Sequence, residues 1–254
     1  MVAMNLNISL QLYHFFLFLW YIPVMELTPI AYIHNDFKEK FGIPRQSGLS
    51  ENLSTIVFEP QFRDINAVRG LSGFSHLWLI WGFSEVKGVA EGSAFRPTVR
   101  PPRLGGNERV GVFASRSPFR PNPLGLSSVS LVSVSDGDFG PALVVSGADL
   151  MDGTPIYDIK PYLPQFDSHP DAKAGYVDEH EFAVLEVEFP SSLLSLVPSE
   201  KRKALIQALS QDPRPHYQDE PERVYGMRFG DLDVRFVVSG SVLSVVDVSS
   251  VCLE

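Results

Sequence analysis

Apolar and polar positions between residues 26 and 165 fall into short runs rather than long periods. TPIAYIHN, STIVFEP, SHLWLIWGFS, RVGVFAS, LSSVSLVSVSDG and ALVVSGADL are rich in Val, Ile, Phe and Trp, with Gly, Pro, Asn and Asp between them. That pattern predicts strands. Serines alternate with apolar residues from Ser128 to Val134, apart from the adjacent Leu131 and Val132, which predicts one buried and one wetted side. No long helical period separates the runs, and this argues against a parallel sheet with crossover helices. A closed or nearly closed barrel would leave such strands without exposed edges.

The pattern breaks after PYLPQFDSHPDAKAG: residues 164–180 are rich in Pro, Asp and His and predict a linker or long surface loop. In PSSLLSLVPSEKRKALIQALSQDPRP one helix is predicted, with Ser199 as its cap and Leu205, Ala208 and Leu209 as its apolar stripe. ERVYGMRFGDLDVRFVVSGSVLSVVDV then predicts three strands turning at Gly230-Asp231 and Gly240-Ser241. The expectation is a mainly β protein: a barrel domain over 25–165, then a linker and small α+β domain over 166–254. Residues 1–24 stand apart as an N-terminal extension. They carry no charge, but they lack a basic n-region and a cleavage site, and their apolar run is short for a membrane span. They therefore read as an upstream extension rather than an anchor, and no membrane partner is expected.

Composition refines this picture in two places. A single cysteine, Cys252, excludes an internal disulfide or a Cys-rich zinc site. His34 and His76 are too few and too far apart for a metal cluster, so no metal is expected. The formal net charge of −9 is uneven: residues 26–165 hold 13 Lys+Arg against 14 Asp+Glu, whereas 166–254 hold 8 against 16. Inside the first part, Arg96, Arg100, Arg103, Arg109, Arg116 and Arg120 face only Glu108 across residues 96–120. Arginine suits bidentate phosphate or carboxylate contacts and stacking on bases. Pro97, Pro101, Pro102, Pro118, Pro121 and Pro123 stiffen the backbone that carries those charges, and are expected to hold Arg116 and Arg120 outward at little further entropic cost on binding.

The patterns GxxxxGK[ST], HExxH and GxSxG are absent, as is a glycine-rich strand-to-helix junction. Four polar stretches braced by Pro or Gly stand out instead. They are GIPRQSGL (42–49), RPPRLGGNERVGVFASRSPFRPNPLGL (100–126), DLMDGTPIYDIKPYLP (149–164) and DPRPHYQ (212–218). So many rigid, charged loops on a small domain point to a site built from them.

PRQSGL, VRGLSGFSHLWLIW, FRPTVRPPRLGG, RVGVFASRSPFRPNPLGLS, DLMDGTPIYDIKPYLP and DPRPHYQ, in that order, closely resemble the TrmO (YaeB/TsaA-like) family, from about Glu26 to the end of the chain. The resemblance implies an S-adenosylmethionine-dependent tRNA methyltransferase with a single-sheeted β-barrel catalytic domain, working as a homodimer in the cytoplasm. It implies methyl transfer to N6 of the threonylcarbamoyl-modified adenosine at position 37, beside the anticodon of threonine tRNA. The cofactor site carries over onto Pro44, Arg45 and Gln46, onto Ser84 and Glu85, onto Arg116 and Leu126, and onto Asp152, Gly153, Thr154 and Pro155.

Arginine suits the cofactor's carboxylate, Asp152 or Glu85 its cation or ribose, and loop backbone its adenine edge. An activated methyl asks the protein for alignment and for a partner to the leaving proton. Asp152 and Asp158 are the candidate proton partners, with Lys160 and Tyr162 to hold the modified base, Tyr162 by stacking. Three other readings stay open: a same-fold methyltransferase with another substrate, a noncatalytic RNA- or ligand-binding barrel, and a secreted or anchored β protein resting on the first 24 residues alone.

Overall fold

The computed structural model describes residues 26–84, 95–101, 108–179, 184–214, 220 and 222–251. Six antiparallel strands close into a barrel in the order β1-β2-β7-β6-β3-β8. They are β1 (Ala31–His34), β2 (Leu53–Phe58), β3 (His76–Gly82), β6 (Leu124–Gly137), β7 (Gly140–Ser146) and β8 (Pro155–Pro161). The seam between β1 and β8 closes on Ala31 opposite Ile156 and Tyr32 opposite Pro155. Inward positions carry the apolar residues that the period of two demands: Ile33, Ile56, Leu77, Leu79, Val129, Leu143, Val145 and Ile156 are all buried. The alternation in β6 is interrupted, because the register with β7 shifts between Leu131 and Ser133. A bulge of this kind leaves one residue unpaired, and Val132 is accordingly exposed.

Sequence expectation and structure part company at three elements. RVGVFAS is only briefly a strand: β5 (Val110–Gly111) pairs with β4 (Thr98–Val99), and Val112–Ala114 then turn as a 3-10 helix. Val112 is buried there and Phe113 stands out, 73% exposed. The stretch PIYDIKP, read as polar loop, is strand β8. The helical cap is also one residue earlier than expected. Pro198 holds the N-cap of the long helix, with no side-chain cap bond, and the Ser199 hydroxyl donates to Glu200 instead.

A second core forms beside the barrel. β9 (Glu186–Glu188), β10 (Tyr225–Phe229), β11 (Leu232–Ser239) and β12 (Val242–Ser250) make a sheet in the order β10-β11-β12-β9, with β9 parallel to β12. Two short helices, α1 (Pro164–Asp167) and α2 (Ser191–Leu194), precede α3 (Ser199–Ser210). Ala204, Leu205, Ala208 and Leu209 of α3 are buried against this sheet. Phe37, Phe41 and Ile43, from the connection after β1, belong to the same core, and the Phe37 ring meets Phe229 edge-on at 5.5 Å. Lys201 pairs with Asp36 at 2.7 Å, Lys203 with Glu51 at 2.7 Å, and the Ser50 hydroxyl donates to the Ala204 carbonyl at 2.9 Å. The β1–β2 connection is thus a wall shared by the barrel and the small domain.

Candidate functional site

Strand direction decides which loops meet. In an antiparallel barrel, β1, β3 and β7 end at the rim where β2, β6 and β8 begin. Three connections, residues 35–52, 83–123 and 147–154, therefore share one rim. They contain Pro44, Arg45, Gln46, Ser84, Arg116, Asp152, Gly153 and Thr154, and Pro155 opens β8 beside them. Glu85 lies outside the described residues, as do residues 1–24 and 215–219 within and beyond DPRPHYQ.

Several contacts tie these loops together. The Arg116 guanidinium donates to the Gln46 side-chain oxygen, and Gln46 donates to the Arg45 carbonyl at 2.6 Å. Arg45 donates to the Asp212 carbonyl at 3.0 Å, joining the rim to the small domain. There Arg214 is held by Asp212 at 2.9 Å, and Asp212 carries a positive φ of 50°. The Gly48 amide donates to the Gly147 carbonyl at 2.8 Å, and the Gly147 amide to Asn52 at 3.1 Å. Gly147 has φ +85°, and a Cβ there would lie 3.3 Å from the Gly48 backbone. A side chain at this crossing would push the two loops apart.

Asp152 is anchored more tightly than a free catalytic acid would be. Its carboxylate accepts the Asn35 amide at 3.0 Å and pairs with Lys38 at 3.0 Å, with His34 Nδ1 at 3.4 Å. Its own amide donates to Phe37, and Gly153, at φ +76°, donates to Ile33. Burial by itself would raise the Asp152 pKa, but the Lys38 and Asn35 hydrogen bonds, with the charges of Lys38 and His34, hold it below the usual carboxylate range. Thr154 is buried next to it.

Asp149 behaves in the opposite way and was not among the candidate site residues. Burial raises its pKa above the ordinary carboxylate value, against a 2.5 Å hydrogen bond from Ser127, its own amide, the nearby Arg116 charge and the Ser47 amide. Ser127 in turn accepts the Trp81 indole N–H at 3.0 Å. The available sequence signal was a serine at an inward position of β6, which needs a polar partner.

The remaining candidates lie off the rim. Leu126 and Asp158 both pair with Ile80, so the three form one row on the outer shoulder of the barrel, where Leu126 is 55% exposed. Lys160 is opposite Trp78 one row further down and pairs with Asp158 of its own strand at 2.8 Å. Tyr162 follows, its ring 5.5 Å from Trp78 and 6.1 Å from His76. At about 3.3 Å per strand residue, Tyr162 is about 20 Å from the rim. The structure thus gathers the rim group in one place and sets Asp158, Lys160 and Tyr162 along the outer wall, because a strand that crosses the barrel carries its residues from one end to the other.

The arginine loop is braced by its own charges. Arg120 turns inward, contrary to the expectation that it projects. Its guanidinium donates to the carbonyls of Val112 at 3.2 Å and Ser115 at 2.7 Å, which the tight turn leaves without strand partners. It also lies 5.7 Å from the centre of the Phe113 ring. Arg96 covers Phe119 at 4.3 Å, and Arg109 donates to Thr98. Arg96, Arg100, Arg109 and Arg116 remain exposed.

The donor set fits a zwitterionic cofactor: a guanidinium and an amide at Arg116 and Gln46, a fixed carboxylate at Asp152, and glycine-bearing backbone around them. No helix among the described residues is long and apolar enough to cross a membrane.

Comparison with known proteins agrees with this architecture. The chain is 43% identical over 230 residues to a tRNA (adenine(37)-N6)-methyltransferase of Escherichia coli, covering 87% of this chain and 96% of that one. It is 41% identical over 220 residues to a Pseudomonas aeruginosa protein named as a candidate S-adenosylmethionine-dependent methyltransferase, covering 83% and 91%. The crystal structure of TrmO from Pseudomonas aeruginosa superposes with a TM-score of 0.70 at 33% identity, covering 89% of this chain and 100% of that one. Sequence profiles for the tRNA-methyltransferase O N-terminal domain and the TrmO C-terminal domain match residues 32–168 and 183–251, and the chain belongs to the tRNA-methyltransferase O family.

Proposed function

We propose that this protein methylates N6 of adenosine 37 in tRNA with S-adenosylmethionine as donor, that its acceptor is the threonylcarbamoyl-modified base of threonine tRNA, and that it works as a homodimer in the cytoplasm. The observation that carries the proposal is the convergence of PRQ, the arginine loop and DGTP on one rim, joined by Gln46 and Arg116. Pro44, Arg45, Gln46, Ser84, Glu85, Arg116, Leu126 and Asp152–Pro155 are assigned to the cofactor. When bound, it supplies a methyl group already activated on a sulfonium.

The chain's own residues then have three tasks. Arg116 and Gln46 orient a carboxylate, the residue type that a guanidinium recognises. Asp152, kept ionised by Lys38 and Asn35, offers fixed negative charge to a cation or hydroxyl; its lowered pKa makes it a poor proton acceptor. The outer shoulder presents Asp158, Lys160 and Tyr162 to the acceptor, with Asp158 nearest the rim. Phe113 and the Arg96–Phe119 pair offer aromatic and cationic faces to unstacked anticodon-loop bases. A second copy seated on Leu126, Ile80 and Trp78 would cover the apolar part of this wall.

The test is mass spectrometry of tRNA nucleosides from cells lacking the protein, paired with methyl transfer in vitro to tRNA with and without the threonylcarbamoyl group. The methylated nucleoside is expected to vanish from the deleted cells, and only the modified tRNA is expected to accept methyl. Equal transfer to both tRNAs would overturn the substrate assignment.

A further inference from the structure

Residues 35–37 turn between the barrel and the small domain and are bonded to both. Toward the barrel, the Asn35 backbone amide donates to the Asp152 carboxylate at 3.0 Å, and the Asp152 amide donates to the Phe37 carbonyl at 2.8 Å. Toward the small domain, the Asp36 carbonyl accepts the Gly230 amide at 2.7 Å and its carboxylate takes Lys201 at 2.7 Å. The Phe37 ring is fully buried in the second core. Asn35 itself is buried, and its side chain closes the turn. Its Oδ1 accepts the Phe37 amide at 2.9 Å, and its Nδ2 donates to the Leu150 carbonyl at 2.9 Å. The oxygen thus folds residues 35–37 into an Asx turn, while the nitrogen ties that turn to the loop carrying Asp152. An amide supplies an acceptor and a donor on one planar end; a carboxylate here would set an oxygen against the Leu150 carbonyl.

We propose that Asn35 is a positioning residue, whose side chain holds the 35–37 turn in the shape that fixes the Asp152 carboxylate for the methyl donor. This rests on the assignment of Asp152 to the cofactor given above. Asn35 acts through its own backbone amide and the Phe37 carbonyl, which grip Asp152 at the carboxylate and at the main chain. Lys38 directly follows this turn and pairs with the other carboxylate oxygen of Asp152 at 3.0 Å. A turn that opened would therefore withdraw the amide and the ammonium together. Replacing the side chain by serine separates a positioning role from a purely structural one, since a hydroxyl still accepts the Phe37 amide in the same kind of turn.

The experiment uses the full chain with Asn35→Ala, which removes both side-chain bonds, and Asn35→Ser, which keeps the bond to Phe37. Calorimetry with S-adenosylmethionine, well below the melting range, should show affinity about tenfold weaker in Asn35→Ala. Asn35→Ser should recover affinity to within about threefold of wild type. In the protein without added cofactor, hydrogen exchange at the Asp152 amide should quicken about tenfold or more in Asn35→Ala, because the turn that carries its acceptor is loosened, and by less in Asn35→Ser.

Wild-type affinity in Asn35→Ala would overturn the proposal whatever its melting midpoint, because a lower midpoint alone would leave Asn35 a role in stability only. Affinity in Asn35→Ser as weak as in Asn35→Ala would overturn it too, since restoring the turn would not restore the site. Should Asn35→Ala fail to fold, the wild type decides. Binding and turn closure are then linked reciprocally, so saturating cofactor should slow exchange at the Phe37 and Asp152 amides by about tenfold relative to the amides of β11; exchange there unaltered by cofactor refutes the role. Should wild type itself fail to bind S-adenosylmethionine, the cofactor reading falls, while Asp152 exchange in Asn35→Ala still tests the turn, and an unaltered rate there refutes it.

Discussion

Gly125 offers the sharpest test of how the rim is supported. It faces Trp81 across β6 and β3, and a Cβ at this position would come within 2.2 Å of the indole ring. Carbon atoms in contact prefer about 3.5–4.0 Å, so the ring must retreat by more than an ångström. Trp81 has little room, being 8% exposed and packed edge-on against Phe83 at 4.4 Å. Overpacking of this kind costs about 1–3 kcal/mol, and losing the Trp81–Ser127 hydrogen bond adds about 1 kcal/mol. Removing a flexible glycine from a strand returns about 0.5–1 kcal/mol.

Gly125→Ala should therefore lose about 1–3.5 kcal/mol, a fall in melting midpoint of about 2–14 °C. Thermal melts of Gly125→Ala, Trp81→Leu and the double variant form a cycle that isolates the clash. Trp81→Leu alone should cost about 2 kcal/mol through lost packing, and adding Gly125→Ala to it should cost under about 0.5 kcal/mol, since leucine leaves the space open. Additive losses in the double variant would refute the claim that Trp81 is what Gly125 accommodates. A midpoint for Gly125→Ala within about 1 °C of wild type would refute the packing account altogether.

Three further outcomes follow from the site. Asp152→Asn removes the Lys38 pair at a partly exposed position and should cost about 1 kcal/mol at neutral pH. Because the folded-state pKa of Asp152 is lowered, that contribution is present above pH about 4 and lost as pH falls through the depressed value, so melts of the two proteins should converge in acid; a constant difference down to the lowest measurable pH would contradict the ion pairing. Gln46→Ala and Arg116→Ala should each weaken S-adenosylmethionine binding by about 10–100-fold, read by calorimetry, with Lys160→Ala leaving it unchanged; wild-type affinity in either rim variant would contradict the assignment. Phe113→Ala should weaken tRNA binding by about 1–3 kcal/mol without altering cofactor affinity, and Arg100→Ala should reduce the salt slope of tRNA binding by about 0.7.

Much of the barrel was legible because five of its strands set mostly apolar residues inward, Ser54 of β2 and Ser127 of β6 being buried polar exceptions. β8 escaped notice for a physical reason: prolines begin and end it, and its outward positions, Asp158 and Lys160, face solvent and each other rather than a core. Its inward residues, Ile156 and Ile159, are too few to announce a strand. Phe113 was read as strand interior because RVGVFAS carries β-formers, yet Val112 alone turns in and the 3-10 turn throws Phe113 out. The burial of Phe37 in the second core, with Phe41 and Ile43 packed against it, was equally hidden, since apolar residues scattered through a loop do not say which core they will join.

The candidate site divides along the same line. Proline- and glycine-braced loops can be recognised locally, and the antiparallel topology then places all three connections at one rim. Asp149 and Asp152 could not be told apart in DLMDGTP by composition. They stand three positions apart, yet one is bonded to Ser127 and desolvated, and the other is held ionised by Lys38 and Asn35. Burial pushes the Asp149 pKa up against its Ser127 hydrogen bond, whereas Lys38 and Asn35, the latter 117 residues away in the chain, pull that of Asp152 down; both surroundings exist only after the barrel closes. Folding therefore creates the chemical distinction between the two carboxylates: the rim gains one fixed negative charge facing outward and one braced acceptor beneath it, and neither property is present in the unfolded loop.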